Sequence, residues 1–338
     1  MVVLSPSIRY TTGHVPYGEC MRVLLSCVNS LVSLVGYDTE AAKAFWYCPG
    51  NMLRACGACY DGHDLLLASD EFVTRITPQG VRQHKLPGPH TNLAHSVHHI
   101  GGMIGVVDTG NSRILIQPPD SDGAVFTLDP LEGWPDRPMD AIHLNDFMPW
   151  GEGVIASCFH YHPFGHYKTK GYDWHGGGHG LILGMHRAHG MTVSKVLASG
   201  LNCPHSLVEH EGAVYCCSSS RGEFLKYAPQ PSGLLYESAR WKITGDHFVR
   251  GALHDGERWL LGGSSVRRLK EQSPMSLYLL DEATGKVERQ TVAAAGEIYD
   301  VLPWDDSIMR TLVPVINALP SNDWDENEYP KPMGLPDF

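Results

Sequence analysis

One pattern constrains this chain more than any other. A short strand turns at an Asp, Glu or Gly pair and returns through a more apolar strand that ends in small polar residues, and the unit recurs. It is visible in LRACGACYDGHDLLLASDEFVTRI (53 to 76), AHSVHHIGGMIGVVDTGNSRILI (94 to 116) and IHLNDFMPWGEGVIASCFHYH (142 to 162), and again in PHSLVEHEGAVYCCSSSRGEFLKY (204 to 227), VRGALHDGERWLLGGSSVRRL (249 to 269) and EIYDVLPWDDSIM (297 to 309). Helical periodicity is scarce. With Arg54, His95, His143, His205, Arg250 and Glu297 taken as comparable positions, most units lie roughly 40 to 50 residues apart, the length of a four-stranded propeller blade.

Six units predict an all-β fold, a six-bladed β-propeller formed by residues 1–338 as one domain, with blades packed face to face around a channel. The last unit lacks its outer strands. Strand-like runs at 22 to 28, 31 to 37 and 42 to 48 can supply them, so that the N- and C-terminal strands pair, close the ring and remove exposed edges. The tail 316–338, rich in Pro, Asp and Asn, is expected to be irregular.

The spacing from His143 to His205 is about 62, well beyond the usual blade length, and the excess is the His-rich insertion 159–180 within CFHYHPFGHYKTKGYDWHGGGHGLIL. Long structureless insertions in compact domains tend to be functional or disordered. A lid over 163–178 is expected, with Tyr161, Phe164, Tyr167, Tyr172 and Trp174 giving it apolar area to close with. His160 is the insertion residue expected to face the channel.

Composition excludes several classes. A net charge of −11, from 26 basic and 37 acidic residues, opposes nucleic-acid binding, which needs a basic surface. No run approaches the roughly 20 apolar residues that span a membrane, and the first residues lack a signal-like pattern, so a cytoplasmic protein is expected. Nine cysteines at irregular spacing predict reduced, packed thiols and no disulfide framework. Cys56-x-x-Cys59 has neither a second pair for metal nor a βαβ context.

The 19 histidines are clustered, and imidazole is the usual choice for metal ligation and proton transfer near neutral pH. In a propeller, the starts of inner strands (His95, His143, Asn145, His205, Arg250, Glu297) meet the loops joining second and third strands (108–111, 159–180, 218–221, 262–267) at one rim. His95, His143 and His205 can offer three imidazoles to a divalent metal with positions left for water or substrate. Glu297 or Asp108 would complete the shell or act as base. Arg250 suits a carboxylate, phosphate or sulfate. Alternation places His99 with His95 and turns His98 away.

CPHSLVEHEGAVYCCSSSRGEFLKY and FVRGALHDGERWLLGGSSVRRL, followed by EIYDVLPW, resemble an uncharacterised bacterial family of conserved hypothetical propeller proteins with PHS- and RGL-type inner strands, over roughly residues 50 to 305. More distantly the chain is similar to gluconolactonase-like and strictosidine synthase-like six-bladed propellers, which implies a site at the channel mouth. Metal-using relatives there employ Glu, Asn and Asp for a hard cation; the dominance of His points instead to zinc, iron, manganese or copper. The expectation is a metal-dependent hydrolase or lyase acting on a small polar or anionic molecule. The alternatives are a metal-free His acid/base enzyme of condensation or cyclisation type, and a non-catalytic propeller binding a glycan or protein. The oligomeric state is not legible.

Overall fold

The computed structural model describes residues 22–30, 32–48, 53, 55–69, 71–86, 94–118, 126–134, 136–161, 177–265, 274–293 and 296–319. They form six four-stranded antiparallel sheets. Blade one runs Gly57–Asp61, Asp64–Ser69, Phe72–Thr77, Gly80–Lys85, and blade two runs Ala94–Ile100, Met103–Asp108, Arg113–Gln117, Phe126–Leu128. Blade three is Leu144–Trp150, Gly153–Cys158, Gly180–Ala188, Met191–Leu201, and blade four Pro204–His210, Ala213–Ser218, Glu223–Pro229, Leu235–Lys242. Blade five is His247–His254, Trp259–Ser265, Met275–Leu280, Val287–Ala293.

Blade six joins the chain ends. Its innermost strand is Glu297–Pro303, followed outward by Arg22–Val28, Leu34–Asp38 and Lys43–Tyr47. The pairing of Val23 to Val28 with Pro303 to Glu297 closes the ring as the repeat predicts. The first strand of each blade lies innermost and touches its counterparts on both sides in cyclic order.

Position in the blade explains composition. The second strands, such as Asp64–Ser69 and Ala213–Ser218, are covered on both faces by neighbouring blades and read as nearly continuous apolar runs. The outermost strand Leu235–Lys242 alternates between covered and open residues, as a strand with one wet face should. The core is therefore six inter-blade layers rather than one centre. Phe147 of blade three, for example, packs with Val107, Ile114 and Ile116 of blade two, and its ring fills the space that a Cβ at Gly105 would need. Fully burying such a side chain contributes roughly 1.5–3 kcal/mol.

A feature of the inner strands positions the site. Ladder register slips by one residue between Ala94 and Val97, Leu144 and Asp146, His205 and Val208, and Arg250 and Ala252. Blade six slips opposite Ser26/Cys27, between Ile298 and Asp300. Blade one pairs without a slip. Bulges of this kind re-aim side chains at sheet ends.

One element departs from the expected tail. Asp306–Asn317 is an α-helix, capped by the Asp305 carboxylate, which accepts from Ser307 N and Ile308 N. Ile308, Met309, Leu312 and Ile316 bury its apolar stripe on a core shared with blades six and one. The irregular tail therefore cannot begin at 316, and residues from 320 onward lie outside the described ones. Among the described residues no helix is long and apolar enough to cross a membrane, and the eight described cysteines are unbridged.

Candidate functional site at the channel mouth

The ladders correct the repeat alignment. Pro204 pairs with Ser218 and Ala94 with Asp108, and both Ser218 and Asp108 lead into matching short 3-10 turns. His95 and His205 are thus equivalent. In blade three Phe159 N donates to His143 O just as Ser219 N donates to Cys203 O, so His143 matches Cys203 and Asn145 is the equivalent of His205. Arg250 and Tyr299 complete the set. His143 and Glu297 each sit two residues earlier than the spacing implied, and Arg54 lies outside the described residues.

The three histidines nevertheless come together. The rings of His95 and His143 meet edge to face with centroids 5.1 Å apart. Phe159 lies 4.2 Å from His143 and 5.4 Å from His205, between the two. Phe159 was legible only as the first residue of the insertion, and nothing in its spacing marked it as a wall of the site. Among the described residues, no group of three or more His, Cys, Asp or Glu side chains has the geometry to hold a metal ion.

The protonation of two rings is fixed by their partners. His143 Nδ1 lies 2.9 and 3.1 Å from the two oxygens of buried Asp140; an ionised carboxylate only accepts, so Nδ1 carries the hydrogen. His205 Nδ1 lies 2.8 Å from Cys203 O and 2.8 Å from Ser219 Oγ. Ser219 spends its own hydrogen on Val249 O at 2.6 Å, so Nδ1 of His205 is again the donor. In each ring this leaves Nε2 as the nitrogen not tied to these partners. Burial, and then the Arg250 cation, hold His205 well below the ordinary histidine range; His95 and His143 add to the effect, against the Cys203 carbonyl. It is a neutral imidazole.

The backbone beneath these rings is unusual. Asp140, His143, Cys203 and Ser206 all have φ between 49° and 58°, a region costing L-residues on the order of 1–3 kcal/mol each. Such conformations, over-determined by the blade packing, gather at functional sites.

Arg250 is not the free anion anchor expected. It is buried, its guanidinium bonds Glu297 Oε2 at 2.5 Å, and it lies over the Tyr299 ring at 4.4 Å. Glu297 accepts at its other oxygen from Asn29 Nδ2 at 2.6 Å, so both oxygens are engaged. Arg250 Nε and Asn145 Oδ1 are buried with no hydrogen-bond partner among the described residues.

Asp108 is engaged locally. Fully buried in blade two, it binds Asn111 N, Asn111 Nδ2 and Arg113 Nε, and is a local cap. Within the insertion, His160 is buried beside Phe159, and its backbone N–H faces Cys158. Tyr161 donates to Pro130 O at 3.1 Å. His179 is exposed; His162, His166, His175 and the expected lid lie outside the described residues. His98 and His99 are also reassigned. The bulge after Ala94 interrupts simple alternation, so His98 turns to Asp146 of blade three at 2.7 Å and His99 to Asp61 of blade one at 3.3 Å.

No family model matches the chain, and no curated protein matches it. Solved structures do. A protein of unknown function from Bacteroides caccae superposes with a TM-score of 0.58 at 13% identity, over 84% of this chain and 99% of that one. A nidogen/laminin complex chain gives 0.55 at 12%, over 83% and 97%. A Lactobacillus plantarum protein gives 0.51 at 12%, over 85% and 100%. These likenesses establish the six-bladed propeller, agree with the resemblance to an uncharacterised propeller family, and say nothing of activity.

Proposed function

We propose that the channel mouth is the active site of an enzyme acting on a small polar molecule by histidine acid–base chemistry, of hydrolase or lyase type. The supporting observation is the pair of Nδ1–H tautomers. His205, neutral and backed by Cys203 O and Ser219, accepts a proton at Nε2. The imidazolium so formed on His205 returns that proton to the leaving group, and His143, its Nδ1–H held by Asp140, is oriented at the same mouth. Arg250, charge-balanced by Glu297, offers a hydrogen bond to a substrate oxygen rather than net charge. This favours a polar ligand over a strongly anionic one.

A metal-dependent version has one observation in its favour. Metal-bound histidines usually donate their second nitrogen to a carboxylate or carbonyl; His143 has the Asp140 carboxylate and His205 the Cys203 carbonyl. His95, His143 and His205 would then hold a zinc, iron, manganese or copper ion, which would polarise a substrate oxygen or activate water. Phe159 between the rings and the nearby Arg250 cation weigh against it.

The test is turnover on a panel of esters, lactones and hydroxy acids, with and without a chelator. Turnover that persists in chelator and is lost in His205→Ala supports the reading. Turnover abolished by chelator and restored by metal transfers the roles to the metal version, and turnover unchanged in His205→Ala removes both.

A further inference from the structure

Two consecutive residues of blade three grip the strand that carries His205 on either side of it. Asn145 Nδ2 donates to Pro204 O at 3.1 Å, and Asp146 Oδ2 accepts from Leu207 N at 2.7 Å. The residue before His205 and the second residue after it are thus tied to one neighbouring dipeptide. Between them lies the bulge, with Ser206 in its left-handed conformation. Such a bulge holds one geometry only where its backbone groups are satisfied.

The grip extends in both directions. His98 Nε2 of blade two lies 2.7 Å from Asp146 Oδ1, and Ser206 Oγ accepts from Gly251 N, beside Arg250, at 2.7 Å. A continuous chain of contacts therefore runs across four blades from His98, through Asp146 and the His205 bulge, to Arg250.

We infer that Asp146, oriented by His98, is the positioning residue of the mouth: it sets the bulge that aims His205 and, through Ser206, the strand that carries Arg250. This inference deepens the function proposed above but stands on contacts that do not require turnover.

The charges around the pair are few. Asp300 of blade six faces both members, and Cys216 and Cys217 of blade four face Asp146. Burial keeps these thiols protonated. Burial disfavours the His98 cation, but Asp146, with help from Asp300, outweighs it and raises His98 above its ordinary value. Burial likewise opposes the Asp146 anion, and His98 with the Leu207 amide outweighs that. The pair is charged together, and losing the His98 proton weakens the grip as pH rises.

The test is nitrogen NMR of the His205 ring with amide hydrogen exchange at Leu207, on the full chain. Wild type should show one Nδ1–H tautomer and a protected Leu207 amide at about pH 6, with a smaller protection factor, taken relative to the intrinsic exchange rate, at about pH 8. In Asp146→Asn the Leu207 amide should exchange at least about tenfold faster, and the His205 ring should average between tautomers. His98→Gln, which keeps an uncharged donor to Asp146, should retain the tautomer and show a Leu207 protection factor that does not change between these pH values. A single tautomer and unchanged Leu207 protection in folded Asp146→Asn would overturn the inference. That result would leave the proposed chemistry standing, whereas failure of turnover alone would leave the positioning role intact.

Discussion

At the scale of single residues, the mouth is organised by compensation. Arg250 and Glu297 are both buried and share one short ion pair, so removing either strands the other's charge. Breaking such a pair costs about 3–5 kcal/mol, while removing both members is far milder. Glu297→Gln should therefore lower unfolding stability by several kcal/mol, and Glu297→Gln with Arg250→Gln by clearly less than the sum of the two single losses, read from denaturant midpoints. Additive losses would show that the pair is not coupled. The pairing was hidden in the sequence because the two residues lie 47 apart and each, taken singly, resembles a substrate contact. Residue types at the mouth were legible; their mutual satisfaction was not. Asp140, three residues before His143, could have been found from that spacing, whereas neither Phe159, at the start of the insertion, nor Tyr299, in ordinary strand patterning, carried a signal.

At the scale of the element, the inner-strand bulge is the working part. The repeat was readable because every blade must bury two faces and turn at the same place. The bulge was not, because one extra residue changes which side chain faces the mouth without changing the hydrophobic pattern. This is why Asn145, not His143, proved equivalent to His205, and why His98 rather than His99 became a partner in the chain behind the site. Blade one, which pairs without a bulge, approaches blade two through Gly57. A Cβ there would meet Ser96 Cα at 2.7 Å and His95 O at 2.8 Å, both backbone. Gly57→Ala should push the two strands apart and cost about 1–3 kcal/mol, with the His95 ring signal displaced in NMR spectra. A neutral effect on both would mean that the inter-blade contact yields freely.

At the scale of the whole molecule, the channel holds charges that respond to pH. Burial raises Asp300 from the ordinary carboxylate range to about 6, with Asp146 adding to it and His98 opposing. Its carboxyl accepts from Ala58 N of blade one, across the closure of the ring. A carboxyl raised on folding stabilises the fold where it is protonated, so this contribution is present at low pH and lost as pH climbs from about 4 through about 6. Asp300→Asn keeps an acceptor for Ala58 and removes the ionisation. It should melt above wild type at about pH 8 and no higher at about pH 4; parallel melting curves at both values would deny the shift.

Closure by the terminal strands was readable from the incomplete sixth unit. The helix after it was not, because Pro314 and a short apolar stripe gave too little periodicity in isolation, and its burial comes from packing on the closed ring. The central claim is that a neutral His205 carries the proton transfer at the mouth of this ring. It is tested most directly by the pH dependence of kcat/KM in chelator, on a substrate that the panel identifies. The account predicts an ascending limb already complete below the ordinary histidine pKa of about 6.5, with His205→Gln abolishing it. A limb centred above that value, or one that survives His205→Gln, would contradict it.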